Sequence, residues 1–508
     1  MSEPVSGGAA PDNSSTLNAL SFDNSFARLP PAFYTKLAPA PLPDPYLVGI
    51  SADAAALLGI DVHELDDTAR RNAFAECFSG NRPFAGSESL AAVYSGHQFG
   101  VWAGQLGDGR AHLLGGVRTR DGIWEMQLKG AGQTPYSRFA DGRAVLRSSI
   151  REFLCSEAMD TLGVPTTRAL CVIGSNEPVR RETLETAAVV TRLAPSFVRF
   201  GSFEHWGAQG RDDEVRVLAD YVIDNFRPQL RDADKPYEAL LADVAQRTGI
   251  MIAHWQAVGF MHGVMNTDNM SILGLTLDYG PFGFMEAFDA GHICNHSDTQ
   301  GRYAFHAQPR IAHWNLLALT HALRSLVGPL ENARSIIDEA YIAAFESSFM
   351  QLMRDKLGFA TEQPGDETFM GETFDLLQAQ HLDYTSFFRA LSHLTAAAST
   401  PAADAGLRDQ FLDREKGDAW LQQWRARLAL ENSEDASRQH RMLAINPKYI
   451  LRNWLAESAI RKAREGDFSE VAKVLDCLRK PFDEQPYFEH YAALPPDWAA
   501  DLEVSCSS

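Results

Sequence analysis

His262-Gly-Val-Met-Asn-Thr-Asp-Asn269, followed by Asp278-Tyr-Gly280, is the stretch on which the reading of this chain turns. Apolar residues at three- and four-residue spacing predict a helix over Tyr237–His262, so the polar residues after it form a loop. Leu273, Leu275 and Leu277 then alternate along an expected short strand that delivers Asp278 at its end. Asp278 comes ten residues after Asp268 and nine after Asn269. Such a set of oxygen donors suits Mg²⁺, a hard cation that bridges phosphates. The plainer alternative is that Asp278 caps a turn and Asn269 bonds within its own loop.

Working toward the N-terminus, Gln105-Leu-Gly-Asp-Gly-Arg110 places Gly107 and Gly109 at alternate positions with Arg110 beside them. Glycines there let the backbone come close to a phosphate, although the same pattern also serves plain hairpin turns. Trp124, Met126 and Leu128 alternate with Glu125, Gln127 and Lys129, the period of a strand with Lys129 at its end. A helix is predicted over Arg143–Leu162, closed by Gly163 and Pro165, and on it Glu152 shares a stripe with Val145, Ser149 and Met159. A glycine loop, a strand lysine, a helical glutamate, an Asp/Asn pair and an Asp-aromatic-Gly occur here in the order used by protein kinases to hold phosphates and metal. Two departures stand out. No His-Arg-Asp loop is present, and Asp268 directly precedes Asn269 instead of lying five residues before it.

The rest of the chain frames these motifs. Residues 1–45, rich in Ser, Pro, Ala and Asn, predict an irregular arm. Between 89 and 200, short apolar segments separated by glycines predict strands, including one over Ala187–Leu193. Beyond 210 the pattern turns helical, with Leu218–Phe226, Ala312–Leu326, Ile336–Leu357 and Tyr449–Ala463 as clear examples. The expectation is an α+β protein with a two-lobed, protein-kinase-like fold. Its parts are an N-terminal extension (1–88), an N-lobe-like unit (89–205), a C-lobe-like unit (206–430) and a helical C-terminal region (431–508). Charge narrows the partners: 46 Lys and Arg against 66 Asp and Glu give a net charge of −20, a surface that repels nucleic acid. No apolar run reaches membrane-spanning length and the first residues lack a signal-peptide pattern, so a cytoplasmic protein with no membrane partner is expected. The six cysteines show no CxxC spacing. His292, Cys294 and His296 would share one face of a strand, but with no further ligand pair nearby a zinc site is not expected.

The longer motifs carry a resemblance. Tyr94-Ser-Gly-His-Gln-Phe-Gly100, Gln105–Arg110, Leu128-Lys-Gly-Ala-Gly-Gln-Thr-Pro-Tyr-Ser-Arg138, His262–Asn269, Asp278-Tyr-Gly-Pro-Phe282, Ile293-Cys-Asn-His-Ser-Asp298, Asn446-Pro-Lys448 and Cys506-Ser-Ser508 strongly resemble the selenoprotein O family. The resemblance implies a kinase-like protein adenylyltransferase that binds ATP in a flipped orientation and moves AMP to Ser, Thr or Tyr hydroxyls of proteins. It further implies ATP contacts at Gly107, Gly109, Arg110, Lys129, Asp141, Gly142, Arg192, Arg199 and Asp278. It gives Mg²⁺ or Mn²⁺ to Asn269 and Asp278, the general-base role to Asp268, and an ion pair between Glu152 and Lys129. It also favours a redox pair of Cys294 with Cys506, the position at which selenium-containing relatives differ from this chain. Two other readings stay open: a uridylyltransferase using UTP with manganese, and a nucleotide-binding pseudokinase scaffold.

Overall fold

The computed structural model describes residues 16–397, 402–499 and 502–504. Its first half is built on one twisted sheet. The main path runs in the order Tyr34–Lys36, Leu90–Ala92, Ala111–Thr119, Gly122–Lys129, Leu184–Ala194, Arg168–Arg180 and Tyr46–Ile50. Phe22–Asp23 adds to Ala111–Thr119, and Ala144–Val145 adds to Leu184–Ala194. Every pairing among these strands is antiparallel, and two of them, Ala111–Thr119 with Gly122–Lys129 and Arg168–Arg180 with Leu184–Ala194, are hairpins.

Alternation along the strands decides what each face buries. Val189, Met126 and Leu128 pack with Phe74 and Phe78 of the helix Thr68–Phe78 on one face. Ala188 and Val190 pack on the other, with Ile150, Phe153 and Leu154 of the helix Leu146–Thr161. Register then aligns the polar positions. Lys129 stands opposite Val190, and Gln127 opposite Arg192, so all three polar side chains share the face covered by Leu146–Thr161. That helix ends where Gly163 takes φ +76°, two residues before Pro165.

The second half is helical. Pro236–Val258 packs along Leu330–Leu357, and the two backbones come so close that a Cβ on Gly249 would lie 2.8 Å from Tyr341 O. The helices Asn453–Arg464 and Ser469–Leu478 return to the first half and pack on Leu146–Thr161. Among the described residues, no helix is long and apolar enough to cross a membrane. The result is a mixed α+β architecture.

Three local expectations are corrected. The segment 1–45 is not an irregular arm throughout, because Phe22–Asp23 and Tyr34–Lys36 join the sheet. The helix expected over Tyr237–His262 stops at Val258, where Gly259 adopts φ +72°, and Phe260–Met261 pairs with Gly283–Phe284. Leu273–Leu277 is no strand. Gly274, at φ +69° against Arg247, turns the chain, so Thr276 makes only isolated bridges to Met270 and Thr166. Leu273 and Leu277 are buried by this turn, which reproduces strand-like alternation without a strand.

Candidate active site

Where the sheet half meets the helical half, a cavity of about 680 Å³ is lined by Gly107, Gly109, Arg110, Lys129, Asp141, Gly142, Arg192, Arg199, Asp268, Asn269 and Asp278. Residues separated by up to 171 positions in sequence thus face one space. Glu152 stands behind Lys129, on the helix that covers that face of the sheet.

Asp278 is the centre of the electrostatics. Its carboxylate accepts from Lys129 Nζ at 3.2 Å and from the guanidiniums of Arg192 and Arg199. Lys129 also donates to Glu152 Oε2 at 2.6 Å, and Arg192 to Glu152 Oε1 at 3.2 Å. Three buried cations therefore face one buried carboxylate, Glu152, and one half-buried one, Asp278, which leaves an excess of positive charge for an anionic ligand. Charges this deep require partners, since an unpaired buried ion costs several kcal/mol (about 3–5 when one partner is removed). Burial pushes the Asp278 carboxyl up, but Arg192, Arg199 and Lys129 together outweigh it and hold it well below the usual range. Asp278 also sits at φ +55°, a left-handed conformation that Asp tolerates better than most residues. His262 supports this bend: its Nε2 bonds Leu277 O at 2.8 Å, its ring stacks on Trp255, and its Nδ1 accepts from Val264 N at 3.3 Å.

Asp268 occupies a different environment. Its Oδ2 accepts from Gln98 Nε2 at 3.2 Å, whereas Oδ1 is buried with no hydrogen-bond partner among the described residues. Burial raises its carboxyl to about 6, with Arg199 and Gln98 pulling the other way. The next residue, Asn269, commits its amide nitrogen to Val264 O at 3.0 Å, which leaves the amide oxygen as an acceptor.

The loop that carries Asp268 is held by a hairpin, Ser95–Gln98 with Val101–Gln105. His97 N donates to Thr267 Oγ1 at 2.7 Å, Gln98 to Asp268, and Phe99 N to Asn266 Oδ1 at 3.0 Å. Three consecutive hairpin residues thus hold three consecutive loop residues. Arg199 adds a fourth tie through Asp268 O at 2.6 Å.

At the outer rim, Gly107 takes φ +143°, and a Cβ there would lie 2.4 Å from Tyr136 Cγ. The steric demand for glycine is thus set by the neighbouring Thr134–Ser137 turn, whose Thr134 hydroxyl donates to Asp108 O at 2.7 Å. Arg110 lines the cavity and forms no ion pair among the described residues. Asp141 is bound by both guanidinium nitrogens of Arg181, at 2.7 and 2.9 Å, and accepts from Arg143 N. Gly142, at φ +72°, abuts the backbone of Gly132.

Several residues in or behind the cavity wall escape a sequence reading. Gln127 bonds Arg192, yet Glu125 and Gln127 read as the solvent side of an alternating strand; both are buried. Arg181, in a hairpin turn, carries no signal at all. Gln98 stands in a motif that the resemblance includes, but its partner lies 170 residues away. Cys294 and its neighbours His292 and His296 lie in an irregular segment, so they do not share a strand face. Cys294 Sγ approaches Met261 O at 3.6 Å, and Cys506 lies outside the described residues.

Comparison of the sequence with known proteins places the chain in a family. The sequence model of protein adenylyltransferase SelO matches residues 16–479. A protein from Dechloromonas aromatica (strain RCB), named protein nucleotidyltransferase YdiU, is 65% identical over 490 residues, covering 96% of this chain and 97% of its own. Proteins of the same name from Herminiimonas arsenicoxydans and Burkholderia mallei (strain ATCC 23344) are 61% and 55% identical, over 97% and 100% of this chain and 98% and 99% of theirs. On sequence and cleft together, the chain belongs to the SelO family of protein nucleotidyltransferases.

Proposed function

We propose that the cleft binds ATP and transfers its AMP to Ser, Thr or Tyr hydroxyls of other proteins. In this reading the chain is a two-lobed, kinase-like fold, with 89–205 and 206–430 as the lobes, 1–88 as extension and 431–508 as a helical addition. The observation that carries it is the convergence of Lys129, Arg192 and Arg199 on Asp278, beside the lone carboxylate of Asp268. An excess of buried cations answers a polyphosphate, and a separate basic carboxylate answers a hydroxyl that must lose a proton.

The donor set fits Mg²⁺ or Mn²⁺. Asp278 and the Asn269 amide, whose nitrogen is taken by Val264 O, supply only oxygens to the same cavity. Bound to Asn269 and Asp278, the ion would offset charge on the phosphate oxygens. The protein's own groups do the rest. Ionised Asp268 takes the acceptor proton; its carboxyl near 6 is charged at neutral pH yet more basic than an ordinary aspartate. The hydroxyl oxygen bonds the α-phosphorus as the link to the β-phosphate breaks. Pyrophosphate leaves toward Arg192, Arg199 and Lys129, whose charges are already in place. Arg110 and the Gly107–Gly109 backbone line the outer wall of the same space, and Asp141 with Gly142 closes its rim.

Two expected results follow from these roles. Gln98→Leu should lower kcat about tenfold with KM for ATP unchanged, since one hydrogen bond to a charged group is lost and the cations are untouched. Initial rates across a range of ATP concentrations check it, and a changed KM alone would contradict it. Arg199→Ala should weaken ATP binding at least about tenfold more than AMP binding, as its partner is the terminal phosphate. Calorimetry with both nucleotides decides this; equal losses would make Arg199 a support of the fold only.

The phosphate-binding groups do not read the base, so UTP with Mn²⁺ is the competing substrate. The intact mass of an acceptor protein after incubation with equal ATP and UTP tests the assignment. A gain of AMP is expected. A gain of UMP, or of a single phosphate, would overturn it.

A further inference from the structure

The hairpin that holds the Asp268 loop carries three large apolar side chains into solvent at its tip: Phe99, Val101 and Trp102 are 38%, 70% and 41% exposed. Exposed apolar residues scattered singly need no explanation, but three within four positions at the mouth of a cleft do. Phe99 also sits at φ +50°, which is costly for a bulky side chain. Its N–H is shared by Asn266 Oδ1 at 3.0 Å and the Tyr303 hydroxyl at 3.1 Å, which fix this bend. Phe99 consequently lines two spaces, the cleft containing Asp268 and an adjoining groove of about 610 Å³.

Val101, Arg302, Arg310 and Trp314 line that groove as well. The Arg302 guanidinium lies 4.8 Å from the Trp314 ring centre and directly beneath Gly100, where a Cβ would fall 2.8 Å from its Cζ. Neither Arg302 nor exposed Arg310 forms an ion pair among the described residues, on a chain with 66 acidic against 46 basic side chains. The carboxylate on the groove wall, Asp298, is committed to the N–H groups of Arg302 and Tyr303 at 3.0 and 2.7 Å. Two unpaired cations beside an apolar tip form a local complement to an acidic and apolar ligand on a surface that is otherwise acidic.

The geometry points to this groove as the docking surface for the acceptor protein. An extended acceptor segment would place an apolar side chain against Phe99 and Val101, and an acidic side chain against Arg302 and Arg310. Its hydroxyl then passes Phe99 to reach Asp268. This inference rests on the transfer reaction proposed for the cleft.

The test uses the full chain and two fluorescein-labelled tyrosine peptides, one flanked by Leu and Glu, the other with Lys replacing Glu. Fluorescence anisotropy should show the Glu peptide binding about tenfold tighter, the size of one charge-assisted contact. Arg310→Glu should invert the preference, and Val101→Asp should weaken both peptides, while neither changes ATP affinity by calorimetry. Failure to bind either peptide, equal binding of both, or a preference that survives Arg310→Glu overturns the proposal. So does a wild-type dimer in sedimentation that Val101→Asp dissolves, since the tip would then serve self-association. ATP labelled at the α- or the γ-phosphate separates the two readings. Transfer of γ label with the Glu preference intact sinks adenylylation and leaves docking standing; α label with no Glu preference does the reverse.

Discussion

Asp278→Ala is expected to lower transfer at least about a hundredfold and to cost about 3 kcal/mol of stability. The two losses share one cause. Asp278 is the counterion of Lys129, Arg192 and Arg199, so its removal leaves Lys129 and Arg192 sharing Glu152 and takes from Arg199 its ion-pair partner among the described residues. Breaking a buried ion pair by removing one partner is far more costly than never having built it, because the survivors remain desolvated. The catalytic loss follows from the proposed metal ligation and the placement of the cations. Urea unfolding and initial transfer rates, taken on the same preparation, check both. A near-normal rate would remove Asp278 from the mechanism, and unchanged stability would deny its role as counterion.

Asp268→Asn is expected to act in opposite directions on activity and stability. Loss of the general base proposed for the cleft would remove about 10²–10⁴-fold of rate. Stability of the metal-free protein at pH 7.5 should nevertheless rise by about 2 kcal/mol. Burial raises the folded carboxyl to about 6, above its ordinary value, so the folded state binds a proton more tightly than the unfolded state. The stabilisation this provides is complete below the ordinary aspartate value and is lost as pH rises through about 6. At neutral pH the wild type therefore carries a buried, half-partnered charge that the amide avoids. Thermal melts with chelator present, at pH 7.5 and again near pH 4, should show the gain shrinking in acid. A variant that is less stable than wild type at pH 7.5 would contradict this account of the Asp268 environment.

Much of the site was legible because its chemistry is local. Lys129 ends an alternating strand, Glu152 borders an apolar helical stripe, and Asp278 follows Asp268 and Asn269 at short range. Arg192 and Arg199 are marked only by the family resemblance. In isolation each reads as an ordinary arginine, and what brings Arg192 to Asp278 is its cross-strand register with Gln127. The hairpin's hold on the Asp268 loop was not legible for the same reason: the contact joins residues 167 to 170 positions apart, and nothing local announces it. The fold was misread where a local pattern had two causes. Leu273, Leu275 and Leu277 alternate as a strand would, but the turn at Gly274 accounts equally well for the burial of Leu273 and Leu277. Residues 22–36 form strands of two and three residues between prolines and polar turns, too short for periodicity to show.

The central claim is that the cleft moves the α-phosphorus of ATP, not the γ-phosphorus, onto a protein hydroxyl. Its most direct test is parallel incubation of the full chain and an acceptor protein with ATP labelled at the α-phosphate or at the γ-phosphate, each with Mg²⁺ or Mn²⁺. The account predicts acid-stable label on protein from α alone, abolished by Asp278→Ala. Label from γ alone would contradict it and make the protein a kinase.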